Sequence, residues 1–389
     1  MLADEAADVS KIEQMPLVLR FIDDKSEIRE AFMGFLRCDE GLTGEAISMK
    51  ILDRVDKISL DINLCRGQGY DGAGSMAGKC SGAAARINAK FPKAPYVHCG
   101  SHALNLCVAS ACKIQVIRNM MGQVRVVSEF FNNSPKRFAF LEKQIKEMLP
   151  KARHTHLIDV CRTRWIARID GLDVFSEVFV PIAHCFELIK FNADRTWNTD
   201  TVRDASGLFL SVTSFQFTVC LVVVSRCLEV TRPLTKQLQS STFDVVAANE
   251  KVSLLYAALQ RMRIEKSVSH SKWYDEAVKL ALSVNVDPSR PRTVQRQVHR
   301  SNTPAESVSL YYERTVTLPF LDHLTSQIQT EFSDRNMAIF NGFYAFPERV
   351  VSSVNWRKKF EAFLEECIDD LPEPRYINSK CDYLWRWSI

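Results

Sequence analysis

Residues 64–112 read LCRGQGYDGAGSMAGKCSGAAARINAKFPKAPYVHCGSHALNLCVASAC. A short segment from Leu64 to Tyr70 delivers Asp71 into the small residues Gly72, Ala73, Gly74, Ser75 and Ala77, which let a backbone approach a ligand closely. Alanine, methionine and arginine predict a helix over Met76 to Lys90, and Pro92 with Pro95 ends it, because proline lacks the amide proton a helix interior needs. Tyr96, Val97 and His98 read as a strand, and a second helix follows from about Ser101 with Leu104, Val108 and Ala111 on one apolar face. Strand, acid at the strand end, helix, strand, helix is the order in which loops at carboxyl strand ends hold ligands. The Asp71-Gly72 pair is equally a common turn signal.

Upstream, Met1 to Val9 and Pro16 to Ile22 read as strands joined by a turn around Ser10 to Gln14. Ile28 to Cys38 is a third strand. Thr43 then caps a helix that buries Ile47, Ile51, Leu52 and Val55. Asp4 lies within the first strand, where a solvated residue near a terminus is the plainer interpretation. The chain has 389 residues, 46% of them hydrophobic, enough for two or three domains with sizeable cores. A formal charge of +4 permits nucleic-acid binding without arguing for it. Twelve cysteines without a regular spacing read as reduced thiols of the nucleus or cytoplasm, not of a secreted protein. No C-x2-C pair occurs, and Cys99 with His102 lacks partners at zinc-finger spacing.

The strings GQGYDGAGSMAG, YVHCGSHALNL, FFNNSPKRFAFLEKQ and CRTRWIARIDGL together resemble the core of a hAT-superfamily transposase. The branch is that of zinc finger MYM-type and repressor-of-kinase-inhibitor-like domesticated proteins (DUF4371-type). Further matches run from LADEAADVSKIEQMPLVLRFID at the start to LPEPRYINSKCDYLWRW at the end. The resemblance implies an α/β fold, a ribonuclease-H-like mixed sheet interrupted by a large all-helical insertion. It divides the chain into a first part of the ribonuclease-H-like core at 1–170, an insertion at 171–366 and a truncated end of the core at 367–389.

The same resemblance makes Asp4 and Asp71 the first two carboxylates of a Mg2+ site, with Asp8 the near miss. It implies that His102 faces the metal pocket or a phosphate, and that Arg164 and Trp165 lie beside the active centre, the indole stacking on an extruded base. A third carboxylate, Glu, belongs on the last helix, yet alignment from Pro374 puts Lys380 there. An ammonium 4 Å from a cation costs roughly 4 kcal/mol per unit charge at an effective dielectric near 20, so Mg2+ binding is expected to be weakened or lost. The chain also stops at Ile389, before the dimerisation segment of the family.

Downstream, Gln115 to Phe131 reads as an amphipathic helix and Ser134-Pro135 opens another to Met148. Lys136, Arg137, Lys143, Lys146, Lys151 and Arg153 make this the most basic region. A solvated face is the ordinary reading, while Lys136 and Arg137 are the first candidates for phosphate contacts. Ile158 to Cys161 reads as a fifth strand. Long helices are expected over Leu172–Phe191, Ser206–Thr231, Phe243–Glu265 and Ser271–Leu282, then over 305–315, 319–335 and 355–366, with an arginine-rich loop over 285–304. The uncharged run from Leu208 to Val224 carries too many polar groups to span a membrane.

These readings point to a hAT transposase-derived protein, catalytically impaired, acting as a nucleic-acid or protein-binding module. An active Mg2+-dependent transposase or nuclease is the alternative, and a scaffold without a nucleic-acid role a further one.

Overall fold

The structure is a computed structural model that describes residues 1–4, 6–7, 12–25, 27–158, 165–238, 245–291 and 303–332. It divides into two compact units, Met1–Leu104 and Asn105–Ile389.

The first unit is built on a mixed sheet. Strands β1 (Leu2–Ala3) and β2 (Ala6–Ala7) both pair antiparallel with β3 (Glu13–Ile22). Leu2 faces Val18, Ala3 faces Leu17, Ala6 faces Gln14 and Ala7 faces Glu13, one unbroken register. The two short strands therefore act as a single interrupted one. β4 (Ile28–Arg37) pairs with the far side of β3, its register shifting between the partners of Pro16 and Val18. Gly34 near this irregularity has φ +105°, a backbone state open to glycine at little cost. β5 (Gln68–Tyr70) runs parallel to β1, and β6 (Tyr96–His98) parallel to β5. The order across the sheet is β4, β3, β1 with β2, β5, β6: three antiparallel positions followed by two parallel ones, the order expected of a ribonuclease-H-like sheet.

Helix α1 (Gly44–Lys57) starts where Thr43 accepts the Ala46 amide at 3.2 Å, satisfying one of the donors a helix start leaves open. Its Ile47 and Ile51 pack with Ala3, Met15, Leu17 and Tyr70 from one face of the sheet. The single helix expected over 76–90 is instead two, α2 (Gly74–Ala77) and α3 (Ala83–Lys90). Glycine explains the break. The chain folds on itself so tightly that a Cβ on Gly82 would stand 2.4 Å from the Gly78 amide nitrogen, and one on Gly44 2.2 Å from the Ser81 carbonyl.

Helix α4 (Gly100–Ala111) leads into the second unit, whose regular elements among the described residues are all helices. α5 (Gln115–Asn132) and α6 (Pro135–Met148) match expectation, with Ser134 capping α6 and proline in its first turn. The helix expected over 172–191 is divided at Val178 into α7 (Trp165–Glu177) and α8 (Phe179–Phe191). The one expected over 206–231 becomes α9 (Thr199–Val212) and α10 (Phe215–Glu229), bent by 66°. Ser214 begins α10 by accepting the Phe217 amide at 3.4 Å, so a polar residue read as interior is a cap. Only Gln216, Arg226 and Glu229 of α10 escape burial; α5, α7, α9 and α13 pack around it. Among the described residues no single helix is long and apolar enough to cross a membrane, although the bent α9–α10 pair meets that test by length and composition.

α11 (Arg232–Leu238), α12 (Val245–Ile264) and α13 (Lys266–Leu282) follow. α14 (Val308–Tyr312), a π-helical turn over Glu313–Thr317 and α15 (Leu318–Glu331) form one continuous rod. Of the remaining expectations, the strand at 158–161 falls almost wholly outside the described residues, as do the helix over 355–366 and the end of the chain. The boundary placed at Gly171 lies inside α7. None of the nine described cysteines is in a disulfide. Burial pushes the Cys107 and Cys220 thiols up to about 12, because an apolar interior penalises a thiolate.

Candidate functional site at the strand ends of the first unit

The parallel register pairs Leu2 with Gly69. Two residues beyond each come Asp4 and Asp71, so both acids leave the sheet level with one another at the carboxyl ends of neighbouring strands. Each acid directly follows the last residue of its strand, the buried Ala3 and Tyr70. Asp4 is exposed and Asp71 half-buried.

Hydrogen bonds fix the Asp71 end. Its Oδ1 accepts the Ala73 amide at 3.1 Å, an aspartate turn of the kind that short acceptor side chains form with the backbone two residues on. The Tyr96 hydroxyl donates to the Asp71 carbonyl at 2.9 Å, and the Cys99 amide to the Tyr70 carbonyl at 3.1 Å. Burial, with the Asp71 and Cys99 charges adding to it, pushes the Tyr96 phenol up to about 12. That hydroxyl therefore stays a donor across the physiological range.

Four rings continue from this point. Tyr70 stacks on Tyr96 at 6.2 Å between centroids, Tyr96 on His98 at 6.3 Å, and His98 lies 5.4 Å from His102. The two imidazoles close over Gly72. A Cβ there would meet His98 Nε2 at 3.0 Å and His102 Cδ2 at 3.4 Å, so no larger residue fits without displacing a ring. Sequence reasoning singled out His102 and passed over His98 and Tyr96. The available signal was position: Tyr96 and His98 alternate on the strand beside the one that ends in Asp71.

Two carboxylates at adjacent strand ends suit one hydrated divalent cation, since Mg2+ is commonly held by one or two carboxylates and keeps several waters. Among the described residues no group of three or more His, Cys, Asp or Glu side chains is gathered as a metal would need. Lys380 lies outside the described residues, as do Asp8 and Arg164.

The other residues singled out belong to the second unit. Trp165 is the first residue of α7. Lys136, in the first turn of α6, lies 4.3 Å from the centroid of the Trp197 ring and donates to the Thr196 carbonyl. The Arg137 guanidinium covers the Phe130 ring at 4.2 Å. Lys143 and Lys146 pair along α6 with Glu147 and Glu142 at 3.8 and 2.8 Å, so the most basic stretch of sequence carries much of its own countercharge.

Residues 1–82 match the family described as DUF4371: ZMYM1/FAM200, RNase-like domain. Over 390 residues, 99% of this chain, the sequence is 26% identical to the human protein named 52 kDa repressor of the inhibitor of the protein kinase. The mouse protein of that name is 26% identical over 393 residues. The chain spans about half, 51%, of the length of each. These matches agree with the resemblance read from the motifs, to the DUF4371-type and repressor-of-kinase-inhibitor-like proteins.

Proposed function

We propose that this chain is a nuclear, transposase-derived regulator that binds nucleic acid through a ribonuclease-H-like unit and no longer cleaves it. The observation that carries the reading is the acid pair, Asp4 and Asp71, level at the ends of β1 and β5 in a sheet of ribonuclease-H-like order. Such a pair accounts for a retained nucleic-acid-facing surface. It falls short of the chemistry of cleavage, where two ions clamp the attacking and the leaving oxygens and several carboxylates are needed to hold them. The third position, by alignment, is Lys380, whose charge opposes a second cation. Asp71 also serves the backbone through the Ala73 amide, a task that persists whether or not metal binds. A single Mg2+, when bound, would neutralise the two acids and let a phosphate approach; Asp4 and Asp71 would hold it. The relatives' name, a repressor, agrees with a regulatory rather than a catalytic task.

The test is direct. Purified protein is titrated into duplex and hairpin DNA at several salt concentrations, with Mg2+ or Mn2+, and the products are run on a denaturing gel. Expected are intact strands and an affinity falling with salt at a logarithmic slope of about −0.9 per phosphate contacted. Nicking that disappears in Asp71→Asn would establish the enzyme instead. Absence of binding at low salt would leave a protein-interaction scaffold. Calorimetry on Lys380→Glu is expected to show tighter Mg2+ binding, and an unchanged affinity would overturn the assignment of the third position.

A further inference from the structure

The helical unit contains a cavity of about 970 Å³, apart from the acid pair and described wholly by residues of that unit. Five carboxamides stand in a lining that is otherwise mainly apolar. Gln115, Asn119 and Gln123 line it, and a spacing of four puts them in one row along α5. Gln216, from the first turn of α10, lines it as well. A carboxamide offers a donor and an acceptor side by side, the pattern that reads the edge of a nucleobase, as glutamine and asparagine do with adenine.

Aromatic residues supply another part of the lining. Phe215 and Tyr312 are buried and meet edge to face at 5.5 Å, and half-buried Tyr311 lies 5.1 Å from Tyr312. The Tyr312 hydroxyl donates to the Ser289 carbonyl at 2.9 Å, which holds the lip of the cavity in place. Of these rings Tyr311 alone is open to the cavity, where a planar base can stack on it without regard to sequence.

Charge decides how much phosphate the cavity suits. Arg290 and Asp287 are the charged residues of its lining, and they cancel. A polyphosphate therefore finds no net attraction, whereas one phosphate does: α5 opens on the cavity with Ile114 at its N-cap, a side chain that offers no acceptor to the first-turn amides. Those amides and the helix dipole favour a single anion.

We propose that this cavity binds one unpaired nucleotide, its base edge against the carboxamide row of α5 and its phosphate toward the first turn of that helix. Paired bases are excluded, because stacking and pairing in a duplex prevent a single base from entering the cavity. The nucleotide has two possible sources, a free mononucleotide or an unpaired position in a strand. The proposal does not depend on the acid pair of the other unit.

The experiment uses the full chain and three probes: the four nucleoside 5′-monophosphates by calorimetry, a labelled single-stranded 12-mer by fluorescence anisotropy, and the same 12-mer as a duplex competitor. Expected is binding of a mononucleotide or of the single strand, weakened roughly tenfold in Asn119→Ala with Gln123→Ala, at unchanged Tm. Gln115→Ala, a change at an exposed position, should weaken it in the same direction. Binding of mononucleotides assigns a free nucleotide; binding of the strand alone assigns nucleic acid. The proposal is overturned if neither probe binds, if the α5 substitutions leave affinity untouched, or if the duplex displaces the strand as well as unlabelled strand does. Duplex binding without any of these effects would refute this site and leave the nucleic-acid reading of the first unit standing.

Discussion

Gly72 and His98 are packed to the limit that a glycine allows: a Cβ on Gly72 would lie 3.0 Å from His98 Nε2. The residue after Asp71 is thus small because an imidazole from the neighbouring strand end lies over it. Gly72→Ala is expected to cost about 1–3 kcal/mol, the usual range for overpacking. Placing the same substitution in a His98→Ala background should restore most of that loss. Urea unfolding of the two single variants and the double variant measures it, and additive losses would show that the ring is not what glycine makes room for.

Tyr96→Phe removes the hydroxyl that donates to the Asp71 carbonyl at 2.9 Å and changes little else. Because a half-buried acceptor loses its donor, a loss of about 1 kcal/mol is expected. Amide exchange should accelerate at Cys99, whose N–H is bonded to the adjoining Tyr70 carbonyl. Exchange unchanged at Cys99 would mean that the Tyr96 hydroxyl is not what holds the two strand ends together.

Much of this arrangement was legible in the sequence, and the reason is local chemistry. Thr43 before an apolar-periodic run, Ser134-Pro135 and the run Tyr96, Val97, His98 after two prolines each announce an element by a mechanism that acts within a few residues. The level placement of Asp4 and Asp71 is different in kind, because it depends on the Leu2–Gly69 register, which no short stretch encodes. Two helices were read as one at Val178 and again at Ser214 for a related reason. An apolar run continues through both points, and periodicity cannot distinguish a bend inside a core from an unbroken helix. The cavity beside α5 was equally hidden: Gln115, Asn119 and Gln123 look like the wet face of an amphipathic helix until Tyr311 and Gln216 are brought opposite from distant sequence.

Lys136 and Trp197, sixty-one positions apart in sequence, meet with the ammonium 4.3 Å from the ring centroid. An exposed cation over an indole contributes about 0.5–1 kcal/mol. A double-mutant cycle with Lys136→Met and Trp197→Leu should return a coupling energy of that size by thermal unfolding. If Lys136 also contacts phosphate, Lys136→Met will lower DNA affinity while Trp197→Leu leaves it nearly unchanged. Equal losses from both would assign the lysine to packing and the effect on DNA to the integrity of α6.

His270 joins α13 to the π-helical turn and gives the helical unit a pH dependence whose sign follows from two hydrogen bonds. Its Nε2 lies 2.9 Å from the Ser309 carbonyl and its Nδ1 2.8 Å from the Thr317 hydroxyl. A carbonyl only accepts, so Nε2 carries the proton and Nδ1 accepts from Thr317. The bonds are satisfied by the neutral ring. Burial lowers the pKa of His270 below its ordinary 6.5, against smaller opposing contributions from the Ser309 bond and the Glu313 charge. In the unfolded chain the ring therefore binds a proton more readily than in the folded one, and stability rises with pH across that interval. The contribution is complete above about 6.5, and is lost as the pH falls from there through the folded value. His270→Gln should flatten this part of the profile, and His270→Ala should cost about 2–3 kcal/mol at neutral pH by leaving Ser309 and Thr317 without their partner. Denaturant midpoints measured from pH 5 to 8 for the parent and both variants check the sign, and a parent protein that grows more stable on acidification through this range would contradict the neutral-ring assignment.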